Sequence, residues 1–226
     1  MKTHLRNNRV RSEPDGRRII PRAGLCSDRL VSRLHGRFYE QALRGNLYTF
    51  GVSNTALNAA NSIAAQTGAT SRPLVGLYNP LGNSWNLVIL QAIIVVSTVA
   101  STAVSPGGFM WQAATGQAGI TTGSSPINLK TLAGNGSNAK AFSLPTALTG
   151  LTGSLFNLRP SPITPGVNAA GPVTAKSQVQ GVCVDNVDGG LIVPPGGVIV
   201  LRNQVSTTTI SVSTAIVWEE VPIPEY

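Results

Sequence analysis

The sequence predicts an all-β protein, an antiparallel β-sandwich with a basic N-terminal arm. Three observations carry this expectation. Thr207 to Trp218 alternates residue by residue, with Thr208, Ile210, Val212, Thr214, Ile216 and Trp218 on one face, which is the period of a half-buried antiparallel strand. Short runs rich in Val, Ile and Thr recur between Gly, Pro and Asn turns, the texture of a sandwich or barrel. Positive charge is collected at one end: residues 1–44 hold eleven basic and four acidic side chains, for +7, whereas residues 45–226 carry only +1.

Composition narrows the class further. Only 12% of the 226 residues are charged, about half the ~25% of ordinary soluble chains. That excludes a charge-rich disordered chain and a Glu/Lys/Leu coiled coil. Gly (24) and Pro (15) are abundant but lack the three-residue period of collagen. Cys26 and Cys183 cannot staple a chain of this length, so burial must build the core.

Residues 1–45 are read as the arm. Its Arg6, Arg9, Arg11, Arg17, Arg18, Arg22, Arg29, Arg33 and Arg37 are the expected partner-binding residues, because guanidinium forks suit bidentate contact with carboxylate or phosphate. The partner expected is an acidic protein surface, with nucleic acid second to it. Four acids and a Pro14-Asp15-Gly16 turn argue against a transit peptide, and no apolar run before position 45 marks a cleavable signal. Ser27-Asp28 could cap a helix through Leu30, Val31, Leu34, Phe38 and Leu43, with Gly45 as its stop and Gly36 weakening it.

Residues 46–71 are read as a connecting segment. Within it, 54–66 is helical by Ala content, yet its Asn and Ser make a strand nearly as good a description. The sandwich is placed at 72–226. Arg72 to Tyr78 is a short apolar strand stopped by Asn79-Pro80 and Gly82-Asn83. Trp85 to Val104 reads as one long or two short strands. Its eighteen uncharged residues from Leu87 approach the length of a membrane span. The Val, Ile, Ser and Thr content, and the lack of flanking Lys or Arg, favour strand and no membrane. Residues 113–140 look like loops with short strands near Ile120 and Ile127–Leu129, poor material for a core. Pro-rich stretches at 144–145 and 159–172 punctuate the middle, and Leu191–Val193 and Val198–Leu201 flank a Pro194-Pro195-Gly196-Gly197 turn. Val88, Leu90, Val198, Val200, Ile210, Val212 and Ile216 are expected to face the core.

No catalytic, cofactor or metal residues emerge. Both histidines, His4 and His35, lie in the arm, so the body can build neither a Ser-His-Asp triad nor a His-rich metal site. Cys183 reads as a small buried strand residue. Asp185-Asn186-Val187-Asp188-Gly189 lacks the ligand spacing of a calcium loop and reads as an Asx turn. Glu219 and Glu220 point to opposite faces of a strand, so they make no acid–base pair and read as an acidic strand end that docks something basic.

Three segments carry a resemblance: Leu77-Tyr78-Asn79-Pro80-Leu81-Gly82-Asn83-Ser84-Trp85-Asn86-Leu87-Val88-Ile89-Leu90, then Gly190-Leu191-Ile192-Val193-Pro194-Pro195-Gly196-Gly197, and the closing Ile216-Val217-Trp218-Glu219-Glu220-Val221-Pro222. With these the chain resembles the jelly-roll-like structural proteins of tailed bacteriophage virions, over roughly 72–226 with a gap at 113–175. The resemblance implies a non-enzymatic virion protein, a homotrimer decorating or cementing the capsid, with the major capsid protein or another virion protein as partner. It transfers no catalytic residue. The alternative is a tail-associated receptor- or carbohydrate-binding module using loops 113–175.

Overall fold

The computed structural model describes residues 11–12, 18–19, 38–56, 72–99, 108–121, 123–134, 136–143, 148–161, 182–204 and 210–223. The chain divides into two compact units, Met1–Glu40 and Gln41–Tyr226. In the first, β1 (Arg11–Ser12) pairs antiparallel with β2 (Arg18–Ile19), Ser12 opposite Arg18, with the Pro14-Asp15-Gly16 sequence between them. A single helical turn, α1 (Tyr39–Arg44), crosses the division. It ends at Gly45, whose φ of 81° and N–H bond to the Ala42 carbonyl (3.0 Å) form the left-handed stop that the sequence marks. The part of the expected helix before residue 38 lies outside the described residues.

The second unit holds β3 (Leu47–Ala56), β4 (Val75–Tyr78), β5 (Trp85–Val99), β6 (Phe109–Ala114), β7 (Ile127–Asn128), β8 (Lys140–Ser143), β9 (Phe156–Ser161), β10 (Val182–Val193), β11 (Val198–Asn203) and β12 (Ile210–Pro222). Sheet one has the order β10-β5-β12-β3-β7, and sheet two β8-β4-β11-β6-β9. All pairings are antiparallel and four of them are nested: β3 with β12, β4 with β11, β5 with β10, β6 with β9. The strands therefore form one long hairpin, folded back on itself so that successive strands alternate between sheets. The β5·β12 and β6·β11 pairings roll it closed. This connectivity is a jelly roll. Strands β7 and β8 are additions in the connection between β6 and β9.

The body starts at Leu47, not at Arg72. Residues 47–56 of the expected connecting segment are β3, held between β12 and β7. Its first half does alternate, Tyr48, Phe50 and Val52 toward the core against Thr49, Gly51 and Ser53 outward, and the Asn, Thr and Ala that follow break that short period.

The core between the sheets is built on alternation. On β12, Val212, Thr214, Ile216, Trp218 and Glu220 are buried and the residues between them half-buried, as the sequence predicts. Tyr48 stacks on Trp218 at 6.0 Å between ring centroids, with Trp111 fully buried nearby in the same core. On β5 the expectation holds for Leu90, which is buried, and fails for Val88. Leu87 and Ile89 are fully buried, while Val88 is half-buried on the other side. Leu90 is skipped in both ladders, since Gln91 pairs with Val217 and Asn186 while Ile89 pairs with Trp218 and Leu191. This bulge inverts the parity, and beyond it Ala92 and Ile94 point inward. The side chain of Ile210 lies outside the described ones.

Sheet two is covered on its outside as well, which is why all six residues of β11 are buried. Ile199 and Leu201 face the central core. Val198 and Val200 face a second one with Tyr78, Phe142, Ile120, Leu148, Leu151 and Leu155. Of the 113–140 segment expected to be poor core material, Ala114 and Ile120 join this layer, and Phe142, Leu148, Leu151 and Leu155 beyond it supply the rest, because a few well-spaced apolar residues suffice when the sheet below is apolar on both faces. Strand β9 was hidden by Pro160, which is tolerated there because β9 is an edge strand with a bulge between Trp111 and Gln112 of its partner. The apolar 87–104 segment is strand as far as Val99, and among the described residues no helix is long and apolar enough to cross a membrane.

Gly76 tests how tightly the layers are pressed. A Cβ there would lie 2.6 Å from Val200 Cγ1 and 2.7 Å from the Ile199 carbonyl oxygen. Gly76→Ala should cost about 1–3 kcal/mol through overpacking, read as a lower denaturant midpoint with an unchanged slope.

Candidate functional site

The first sequence motif meets both of the others, since β5 pairs with β10 and with β12. Asn79, fully buried, donates from Nδ2 to the carbonyls of Trp85 (2.7 Å) and Val193 (2.9 Å). Its backbone exchanges bonds with the next turn: its N–H with the Gly197 carbonyl (2.9 Å), its carbonyl with the Gly196 N–H (2.8 Å). The Asn79-Pro80-Leu81-Gly82 and Pro194-Pro195-Gly196-Gly197 turns are therefore one knot. Gly196, at φ 75°, supplies the left-handed residue of its turn, and a Cβ there would displace the tip of the exposed Leu81 side chain, whose Cδ1 would lie at 2.7 Å. Buried Gln117 extends the knot to the outer layer. Its N–H donates to the Gly196 carbonyl (2.8 Å), and its side-chain oxygen accepts from the Thr152 N–H (2.8 Å) and hydroxyl (3.1 Å).

The third motif anchors the β7–β8 connection. Glu220 is 3% exposed and accepts from Ser137 Oγ (2.6 Å), the Asn138 N–H (3.2 Å) and Asn138 Nδ2 (3.3 Å). Tyr48 Oη donates to the Gly136 carbonyl at 3.0 Å. Glu220 thus docks neutral donors of its own chain, where the sequence predicts a basic partner. Its neighbour Glu219 faces outward, as strand geometry requires. Burial pushes its carboxyl up, partly offset by Arg44.

Asp185 is the group that sequence reasoning places in the wrong context. Only Asp188 and Gly189 form the expected turn, at φ 55° and 82° within a bulge of β10. Asp185 lies earlier on the strand, 2% exposed. It accepts from Trp111 Nε1 (2.8 Å), Ser161 Oγ (2.8 Å) and Arg159 Nη2 (2.9 Å). Asp185 belongs to sheet one; Trp111, Arg159 and Ser161 belong to β6 and β9 of sheet two. The carboxylate therefore latches the two sheets where their edge strands β10 and β9 stand open. Cys183 is buried one step away, 3.5 Å from Ser161 Oγ, and burial pushes its thiol up. The expectation of an ordinary buried cysteine holds.

Among the described residues, no group of three or more His, Cys, Asp or Glu could hold a metal ion. No protein-family model matches the chain, and no curated protein matches it. Among solved structures it is similar to the unassembled KI polyomavirus VP1 pentamer, at 8% identity over 80% of this chain and 96% of that one, with a TM-score of 0.27. It is also similar to a chain of the T13 IBDV viral particle, at 10% identity over 79% of this chain and 40% of that one, with a TM-score of 0.14. Overlaps this slight carry no weight. The fold rests on the strand pairing itself.

Of the arm's candidate residues, only Arg11 and Arg18 stand in described strands, on β1 and β2; Arg6, Arg9, Arg17, Arg22, Arg29, Arg33 and Arg37 lie outside the described residues. The body holds a further buried cation that composition does not mark. Arg202 on β11 is fully buried, and burial pulls its guanidinium down to about 10, so it stays charged at neutral pH.

Removing a latch residue should hurt in proportion to the partners it strands. Asp185→Ala leaves the Trp111 N–H and Ser161 hydroxyl without their acceptor and should cost about 3–5 kcal/mol. Ser161→Ala removes one donor of three and should cost about 1–3 kcal/mol. Equilibrium denaturation of both variants checks the order. For Cys183, a buried thiol with a raised pKa carries little thiolate, so iodoacetamide at pH 8 should label it only after denaturant is added. Peptide mass mapping reads that out separately from Cys26.

Proposed function

We propose that this chain is a structural, non-enzymatic protein of a virion shell. Its jelly-roll body makes the protein contacts, and its basic arm ties the body to an acidic partner surface. The observation that carries this reading is the division of charge on such a body: +7 in residues 1–44 against +1 in the rest. A neutral sandwich suits a site where protein neighbours replace solvent. A short Arg-rich arm suits tethering, because each further contact is intramolecular once the first is made.

What the body does with its polar groups supports the same reading. Asn79, Gln117, Glu220 and Asp185 are each spent on tying turns, layers or sheets together. The finer assignment, a trimeric decoration or cement protein of a tailed phage contacting the major capsid protein, rests on the resemblance of the three motifs. The connection 115–155 covers sheet two through Ile120, Leu148, Leu151 and Leu155. A tail-associated receptor- or carbohydrate-binding module would use loops 113–175 for its ligand, and the use of Ile120, Leu148, Leu151 and Leu155 as cover supports the shell reading over it.

The arm is tested by truncation. A chain lacking residues 1–37 retains α1 and the whole second unit, and should keep the circular dichroism spectrum and thermal midpoint of the full chain. The full chain should bind immobilised polyglutamate with an affinity that falls as salt rises, since exposed ion pairs are screened over about 10 Å at 0.1 M. The truncated chain should bind at least about tenfold more weakly. Double-stranded DNA in place of polyglutamate separates an acidic protein partner from a nucleic acid. Equal binding by both chains would remove the arm from the account and leave the neutral body as the docking surface.

A further inference from the structure

The outer faces of the two sheets differ. That of sheet two lies under the layer built by residues 115–155. On sheet one, the outward side chains of Thr49–Ser53, Gln91–Val95, Ser211–Val217 and Val182–Asn186 form a face without an ionisable group. The ladders set its relief. Gly51 stands opposite Ala215, Ala215 opposite Ile93, and Ile93 opposite Val184, in one row across four strands.

The row falls from a ridge to a trough. At the β10 end, Val184 and its neighbour Val182 stand proud, 44% and 45% exposed. At the other end lies a depression of about 400 Å³, lined by Gly51, Ala215, Ile93 and Val95 among others. Gly51 keeps it open. A Cβ there would press to 2.9 Å from the Thr214 carbonyl oxygen and 3.2 Å from Ala215 Cβ, so β3 and β12 approach closely and present no side chain above them. Both features are mainly apolar, with Ser53, Ser213 and Thr214 the polar residues of the trough; Ile93 and Val95 form its near side against the ridge, and its floor at Ala215 and Gly51 lies two to three strands from Val184, about 10–14 Å.

We propose that this face is a two-fold joint between copies of the chain, in which the Val182–Val184 ridge of each copy enters the trough over Gly51 and Ala215 of the other. The occupant follows from shape and charge. A surface carrying both a knob and a hole of the same chemistry is complementary to itself under a two-fold rotation, where each copy gives the contact that it receives. A chain of net charge +8 meets itself with least repulsion where its own charge is absent. The proposal deepens the shell reading and rests on it for its biological setting, since it names the surface through which neighbouring copies touch.

Sedimentation velocity on the full chain over a concentration series tests it. Val184→Lys changes an exposed edge position, so the fold should survive with an unchanged thermal midpoint while the self-association constant weakens at least about tenfold. Val182→Lys should do the same. Ala215→Asp puts a negative charge in the trough, too far from residue 184 of its own copy to pair with it. A one-to-one mixture of Val184→Lys and Ala215→Asp chains should associate more tightly than either alone. If Ala215→Asp fails to fold, the two Lys variants still decide. Unaltered association of folded Val182→Lys and Val184→Lys, or a wild-type chain that stays monomeric up to its solubility limit, would overturn the joint. Neither result bears on whether the chain resides in a virion, which polyanion binding and localisation in particles test separately.

Discussion

Nested antiparallel pairing governs this structure. Strands β3, β4, β5 and β6 find their partners in β12, β11, β10 and β9, respectively. No hairpin between sequence neighbours can form first and template the rest of the roll. Strands β3 and β4 must wait for segments more than a hundred residues later and β5 for one about as far, while the partner of β6, β9, lies nearer. Closing such loops before their contacts repay the entropy makes folding slow in proportion to sequence separation. The same nesting leaves each sheet with two edges, and the side chains placed at those edges become the determinants of closure. Asp185 holds β10 to β6 and β9 across the sheets. Glu220 and Tyr48 hold the β7–β8 connection beside β3 and β12.

These constraints explain what the amino-acid pattern disclosed and what it hid. Strand β12 was readable because it is regular from Val212 to Glu220, and so were the turns at Asn79–Asn83 and Pro194–Gly197, whose residue types have few other uses. The face of β5 was misread at Val88 because a single bulged residue, Leu90, inverts the alternation and leaves no mark in composition. Strand β3 carries only a short alternation, Tyr48, Phe50 and Val52 against Thr49, Gly51 and Ser53, before the Asn, Ala and Ser residues that dominate 54–66, and β9 is masked because Pro160 argues against any strand except an edge. The second core escaped notice because Ile120, Leu148, Leu151 and Leu155 are scattered among Gly and Thr, and only the folded chain gathers them.

The candidate site follows the same division. Charge segregation and the absence of His from the body could be counted directly, so a division of labour between arm and body was visible at once. The role of Asp185 was not, because its three donors come from strands 24 to 74 residues away in sequence. The relief of the sheet-one face also depends on register: Gly51, Ala215, Ile93 and Val184 share a row only after three ladders are aligned. In physical terms, local chemistry identified the arm and long-range pairing built the body's surfaces.

A covered sheet, a sheet with an uncharged patch on its outer face and a basic arm sequence give the molecule three distinct features, and the shell reading assigns a task to each. Covering sheet two lets the body stand alone as a folded unit, the neutral face admits a neighbour, and the arm reaches for an acidic surface. Electron cryo-microscopy of virions purified from cells in which the chain is produced tests this most directly. The result expected is jelly-roll density, with strands in the orders β10-β5-β12-β3 and β4-β11-β6-β9, repeated at symmetry-related positions of the shell. Purified virions from which the chain is absent, or in which it sits as an isolated copy touching no neighbour, would contradict a structural role in the shell.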